Sequence, residues 1–255
     1  MYHFHAEDGR ILTPPKELEP RLKGAFPAFS KLLGHVRFNY VADEIWDGKS
    51  SLAFSADGEQ VAAVTLGKGA FDVHIADEHF RIVDETLLDA VFEALKKAPA
   101  GCHRPFEQRT ISGCPCGRRC DLCLGSKEYS EDGSFSAGDN FCYMDWLCYN
   151  KVCCNTKRSD GVFKCPGCEA IRTAKGCYGE KDWNGCKFFI CLTEKGHANC
   201  AECGEYHSCD ALRDCHYPGQ CNLGITAEEV TKLVIPYAQK ERLDTFRNSK
   251  EHVRG

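Results

Sequence analysis

Apolar residues at the start of the chain recur at helical spacing. Three of them lie four residues apart in the segment 16–26, directly after the turn signal Pro14-Pro15, and this spacing predicts a helix. A second helix is predicted after Pro27, again with its apolar residues on one side. These positions are Leu18, Leu22 and Phe26 in the first helix and Phe29, Leu32 and Leu33 in the second.

The apolar pattern then changes to that of β-strands. Short segments rich in β-branched and aromatic residues alternate with Asp-Gly and Gly-Lys-Gly turn signals, which predicts an antiparallel meander. An amphipathic helix is predicted over 85–98, with Leu87, Leu88, Val91, Phe92 and Leu95 on its inner side. The predicted fold class is therefore α+β, with an N-terminal sandwich of helices on an antiparallel sheet. The predicted strands are 36–46, 50–56, 60–67, 70–76 and 79–84.

A helical pattern returns after the last cysteine. Thr226 and Glu229 have the spacing of a capping box, and Pro236 is expected to kink or end the helix that they begin. The predicted organisation is an α+β domain over 1–100, a connector over 101–113, a cysteine-rich metal-stabilised domain over 114–222, and C-terminal helices with a tail over 223–255.

Composition and charge exclude several classes of function. The formal charge of -5 and the lack of long basic runs do not indicate a basic surface that would bind nucleic acid. No apolar run approaches the ~20 residues of a membrane span, and the first residues do not resemble a signal peptide, so a cytoplasmic location is expected. The chain has no Ser/His/Asp order, phosphate loop or dinucleotide fingerprint, which leaves open whether it is an enzyme.

The cysteines change this picture, because 18 of the 19 lie between Cys114 and Cys221, many in short pairs and triplets. In a reducing compartment such spacing indicates metal more often than disulfides, since thiolates two or three residues apart can reach one tetrahedral cation. The predicted metal ligands are Cys116, Cys120, Cys123, Cys165, Cys168, Cys186, Cys191, Cys200, Cys203 and Cys209.

Two groupings of ligands are expected. The first joins Cys116, Cys120 and Cys123 to Cys165 or Cys168. The second joins Cys200, Cys203 and Cys209 to one of Cys186, Cys191 or Cys215. Histidines at 197, 207 and 216 lie among these thiols and could replace a sulfur, although a surface role is favoured for each.

Three functions fit such a region. The favoured interpretation is structural zinc sites that support binding of a protein or small-molecule partner. The first alternative is an iron–sulfur redox protein, because the spacing at Cys116, Cys120 and Cys123 does not separate zinc from a cluster. The second is handling of soft metals or metalloids by surplus thiols. A structural role, in which metal takes the place of a hydrophobic core, is favoured over a catalytic role. The reason is that aliphatic residues are scarce between Gly113 and Gly185.

The cysteine pattern resembles the domain of unknown function 3795 over residues 114–212. The resemblance is carried by CG-x-x-C-x-x-C from Cys116, C-x-G-C at Cys165, Cys186 and Cys191, and C-x-x-C-x(5)-C from Cys200. It implies a small prokaryotic metal-binding domain that is presumed to hold zinc and has no assigned reaction. The chain departs from the pattern at positions that inherit no role: Cys142, Cys148, Cys153, Cys154, Cys177, Cys215 and Cys221. Cys102 and Cys114 are likewise given no role.

The first ninety residues resemble a second family, the domain of unknown function 3788. The residues that carry the match are 38–46, the step 49–52 and the glycine ahead of Phe71. The resemblance implies a small α+β domain and no catalytic residue. Within the match, Asp43, Glu44 and Asp47 surround Trp46, and the favoured interpretation is a strand end with solvated carboxylates and a core tryptophan.

Overall fold

The structure is a computed structural model that describes residues 4–5, 8–111, 116–117, 119, 134–136, 162–164, 187–213 and 218–253. The chain divides into two compact units, each made of two segments. The first unit is Met1–Pro105 with Pro218–Thr231, and the second is Phe106–Tyr217 with Lys232–Gly255. The segment Pro218–Thr231, here called the return segment, belongs to the first unit. The predicted domain boundaries, with a cysteine-rich domain over 114–222 and C-terminal helices over 223–255, stay predictions.

The first unit is built on an antiparallel five-stranded sheet in the order β3-β4-β5-β6-β7, and the α+β class is thereby confirmed for this unit. Side chains alternate between a buried and an exposed face, as the two-residue period of a strand requires. A separate pair of short strands, β1 and β2, is also antiparallel. The strands are β1 Phe4–His5, β2 Ile11–Leu12, β3 Asp43–Trp46, β4 Ser51–Ala56, β5 Glu59–Leu66, β6 Phe71–Ile75 and β7 Glu78–Ile82.

Helices share one apolar core with the buried face of this sheet. The rings of Phe29 and Phe71 meet edge to face with centroids 5.6 Å apart, a favourable aromatic geometry. The helices of the first unit are α1 Glu19–Leu22, α2 Phe26–Asn39 and α3 Leu88–Leu95, and the core includes Leu22, Leu32, Leu33, Val36, Leu52, Val64, Val73, Val91 and Leu95.

Two sequence predictions in this unit are wrong in part. Residues 36–39 were expected to begin a strand, but they form the last turn of α2, because Val36 follows Leu32 by four residues and extends the buried side of the helix. Leu87 was expected on the inner side of α3, but it precedes that helix in a 3-10 turn and is 45% exposed.

The carboxylate of Glu44 was expected to be solvated and is instead buried. It accepts two hydrogen bonds from the guanidinium of Arg37, at 2.6 and 2.9 Å, and one from the backbone N–H of Gly224 at 3.1 Å. Burial raises the pKa of Glu44, and the charge of Arg37 opposes this shift. Trp46 lies in the core as predicted, and its indole N–H donates to the hydroxyl of Thr13 at 2.8 Å.

The described elements of the second unit are short except at its C-terminus. Gly196, with φ 66°, follows α5 and ends it as predicted. The elements are α4 Phe106–Arg109, the antiparallel pair β8 Ser134–Ser136 and β9 Val162–Lys164, α5 Lys187–Lys195, 3-10 turns Cys200–Glu202 and Tyr206–Ser208, α6 Asp210–Arg213, and α8 Gln239–Val253.

The predicted capping box is present at the start of α7, Ala227–Glu229, where Thr226 and Glu229 each bond the other's backbone N–H. The π-helical turn Val230–Val234 continues α7, and Pro236 lies in the 3-10 turn Ile235–Tyr237 that ends this run before α8, as predicted. Of the helices in the described ranges, none combines the length and the apolar character that crossing a membrane would demand.

Candidate metal centre

Five of the ten predicted ligands fall in the described part of the chain. Cys200 is buried, and Cys191, Cys203 and Cys209 are half-buried. Cys116 is also buried, in the other cysteine motif that the structure describes, Cys116-Gly117. The other five, Cys120, Cys123, Cys165, Cys168 and Cys186, lie outside the described residues, so the two ligand groupings stay predictions.

Cys200, Cys203 and Cys209 lie in a run of tight backbone turns. The N–H of Cys203 bonds the carbonyl of Cys200 at 3.2 Å, and the N–H of Tyr206 bonds the carbonyl of Cys203 at 3.2 Å. The N–H of Leu212 bonds the carbonyl of Cys209 at 3.1 Å. Because each cysteine carbonyl is engaged in a turn, the backbone between the three thiols is locally fixed. We call 199–209 the cysteine turn.

A lysine supplies positive charge beside this turn. The ammonium of Lys195 lies 3.9 Å from the sulfur of Cys203 and 2.6 Å from a carboxylate oxygen of Glu205. The hydrogen bond to Glu205 raises the pKa of Lys195, and the sulfurs of Cys203 and Cys191 contribute to the same shift. A cation at this position offsets the negative charge that several thiolates would build up.

Helix α8 holds the cysteine turn through Tyr206 and Arg247. The buried hydroxyl of Tyr206 donates to Asp244 at 2.7 Å, and burial raises the pKa of Tyr206 well above its ordinary value. The guanidinium of Arg247 donates to the carbonyls of Ala201, at 2.6 Å, and Cys203, at 3.4 Å. The same guanidinium lies 4.8 Å from the centre of the Tyr206 ring, within the range of a cation–π contact.

The other cysteine motif is held by the first turns of the same helix. The side-chain amide of Gln239 donates to the carbonyl of Cys116 at 3.2 Å, and Arg242 donates to the carbonyl of Gly117 at 3.2 Å. Arg242 is fully buried and also donates to the carbonyl of Gln108. From Gln239 to Arg247, α8 rises by about 12 Å, so the two cysteine motifs are held at different heights along one helix.

The donor set fits a thiophilic metal, although the described residues alone do not complete a site. Within the described ranges, no three His, Cys, Asp or Glu side chains gather as a group that could hold a metal. The imidazole of His207 packs against the ring of Tyr206, with centroids 5.2 Å apart. Cysteine thiolates are ligands that both Zn²⁺ and iron–sulfur clusters use.

Two cysteines without a predicted role belong to the first unit. Cys102 and Cys221 are both buried there. The thiol of Cys102 donates to the carbonyl of Pro99 at 2.9 Å, and burial raises its pKa. A thiol in such surroundings is unreactive, because the thiolate is disfavoured.

Sequence reasoning missed Lys195, Arg242 and Arg247. The lysine could have been noticed from its position in the last turn of α5, eight residues before Cys203. The two arginines are remote in sequence from the cysteines whose backbone they hold, so spacing offers no signal for them.

Comparisons of the chain with protein-family models, with curated proteins and with solved structures found no match. The resemblance to the two domains of unknown function stays a prediction from the residues that carry it.

We predict that Gly117→Ala destabilises the second unit. Gly117 has φ 84°, and an added Cβ would lie 2.9 Å from the carbonyl oxygen of Gln239 and 3.0 Å from Leu243. A strained backbone and two close contacts together should cost on the order of 2 kcal/mol of the free energy of unfolding. The matched control is Gly204→Ala beside Cys203, where nothing lies within 4 Å of the added Cβ. Equal urea midpoints for the two variants would refute the close packing of Gly117 against α8.

Proposed function

We propose that the chain is a metal-binding protein in which cysteine thiolates hold structural zinc and thereby shape a surface for a protein or small-molecule partner. The observation that carries the proposal is the cysteine turn, whose backbone is fixed by α8 and whose Cys203 sulfur faces Lys195 at 3.9 Å. Cys203 is half-buried, and the ion pair of Lys195 with Glu205 keeps the lysine ammonium beside its thiol.

In this proposal the side chains have separate duties. Cys200, Cys203 and Cys209 supply sulfur ligands, and Lys195 balances their charge. Arg247 and Tyr206 set the backbone of the turn. Zinc would contribute cross-linking between the turns and no redox chemistry.

The second candidate is an iron–sulfur redox protein. The spacing of Cys116, Cys120 and Cys123 is compatible with this candidate, because it suits a cluster as well as zinc. The cysteine turn supports both candidates, because both metals use thiolate ligands.

X-ray absorption at the metal edge tests the proposal on anaerobically purified full-length protein. For zinc we expect a colourless sample whose metal ligands are mostly sulfur, with metal–sulfur distances of ~2.3 Å. A brown sample with an iron edge would select the iron–sulfur candidate. A bound metal surrounded by nitrogen and oxygen at ~2.0–2.1 Å would contradict both.

A further inference from the structure

The chain passes between the two units at three points. Two buried arginines of the first unit, Arg37 and Arg104, form hydrogen bonds with residues next to these points. The chain leaves after Pro105, returns at Pro218 and leaves again after Thr231. Arg104, next to the first exit, donates to the carbonyl of Arg37 at 3.1 Å and to the hydroxyl of Thr231 at 2.9 Å. Arg37 in turn donates to the carbonyl of Pro218 at 2.5 Å. Closing the first unit therefore requires both ends of the 106–217 segment to meet at one place.

The return segment is also an integral part of the first unit. A Cβ on Gly219 would overlap the carbonyl oxygen of Ser30 in α2, so the two backbones are in contact. Leu223 pairs with Thr13 through two backbone hydrogen bonds, at 2.9 and 3.4 Å. The carboxylate of Asp43 accepts from the N–H of Ala227 at 2.8 Å, at the start of α7. The first unit cannot complete its fold before the chain has returned from the cysteine-rich segment.

We propose that metal binding in the second unit controls the stability of the first unit through this chain closure, so that loss of metal loosens both. The inference rests on the proposed function, because it takes metal as the source of order in 106–217. A folded insertion presents its two ends at a fixed separation. An unfolded one is a free loop, and closing a free loop costs conformational entropy that grows with its length.

The size of the effect follows from the loop-closure law. The 106–217 segment contains 112 residues. A folded insertion acts as an effective connection of about 10 residues between its two ends. Replacing it by a free loop of the full segment length lowers the probability that the ends meet by about forty-fold. In this account the first unit itself holds no metal, and its two cysteines, Cys102 and Cys221, are not ligands.

Hydrogen exchange of full-length protein, followed by mass spectrometry, tests this coupling. Metal-loaded and chelator-stripped samples are compared at one pH and temperature under anaerobic reducing conditions, with the metal content of each sample measured. We expect the slowest amides of β5 and β6 to exchange about forty-fold faster after stripping. The variant Cys203→Ser should show part of this acceleration without chelator. The variant Cys102→Ala should keep the full difference between loaded and stripped protein, because its thiol takes no part.

Two failures are told apart by the metal measurement. If metal is removed and the exchange of β5 and β6 changes by less than two-fold, the coupling is wrong and the proposed function stands. If the purified protein holds no metal, the proposed function and the coupling both fall. Loss of the difference in Cys102→Ala would show that stripping acts on the first unit directly, which also overturns the coupling.

Discussion

Cys203→Ser is expected to lower the bound metal by about one equivalent, because a closed four-ligand site does not tolerate loss of a thiolate. The cysteine turn around this residue is fixed by Arg247 and Tyr206, so a serine at position 203 would face the same Lys195 without the ligand that a soft metal needs. Elemental analysis of the purified variant, compared with the unchanged protein, measures the effect. Cys120→Ser, in the other predicted grouping, is expected to remove a further single equivalent.

The matched control for this substitution is Cys102→Ala. Cys102 is buried in the first unit, where its thiol donates to Pro99 rather than facing a cation. We expect its metal content to equal that of the unchanged protein. If Cys203→Ser retained full metal content, or if Cys102→Ala lost an equivalent, the assignment of ligands to the cysteine turn would be wrong.

Arg37→Leu is expected to lower the free energy of unfolding of the first unit by about 3–5 kcal/mol. The substitution leaves the carboxylate of Glu44 buried without its cation, and it removes donors from the carbonyls of Pro218, Cys221 and Asn222 in the return segment. Urea unfolding followed by the fluorescence of Trp46 reports on this unit, in a chain where Trp146 and Trp183 are replaced by Phe.

Arg81→Leu is the control for Arg37→Leu. Arg81 also pairs with a carboxylate, that of Asp72, but its side chain is 62% exposed. Surface ion pairs contribute about 0–1 kcal/mol, so the urea midpoint should barely move. Similar losses in the two variants would show that the buried pair does not hold the return segment.

The sequence predicted the first unit well where short-range patterns decide the structure. Alternation along Phe71–Ile75 and the Asp-Gly turns specify the meander, and the capping box at Thr226 marks a helix start that is present. The same local logic failed at residues 36–39, because a β-branched and aromatic stretch was assigned a strand where α2 continues to bury Val36.

What the sequence could not predict depends on contacts between remote segments. Arg37 and Glu44 are seven residues apart, yet the reason that both are buried is the return segment about 180 residues later. Arg247 likewise holds the backbone of Ala201 from another helix. Periodicity and motif spacing carry no information on such pairs, whereas the prediction that the cysteines bind metal rests on local spacing alone.

Elemental analysis of the full-length protein, purified without oxygen and with thiols kept reduced, tests the central claim most directly. The 18 clustered cysteines set a ceiling of four four-thiolate sites, and we expect about two to three equivalents of zinc per chain. A chain that is folded, reduced and free of metal at this stage would contradict the account.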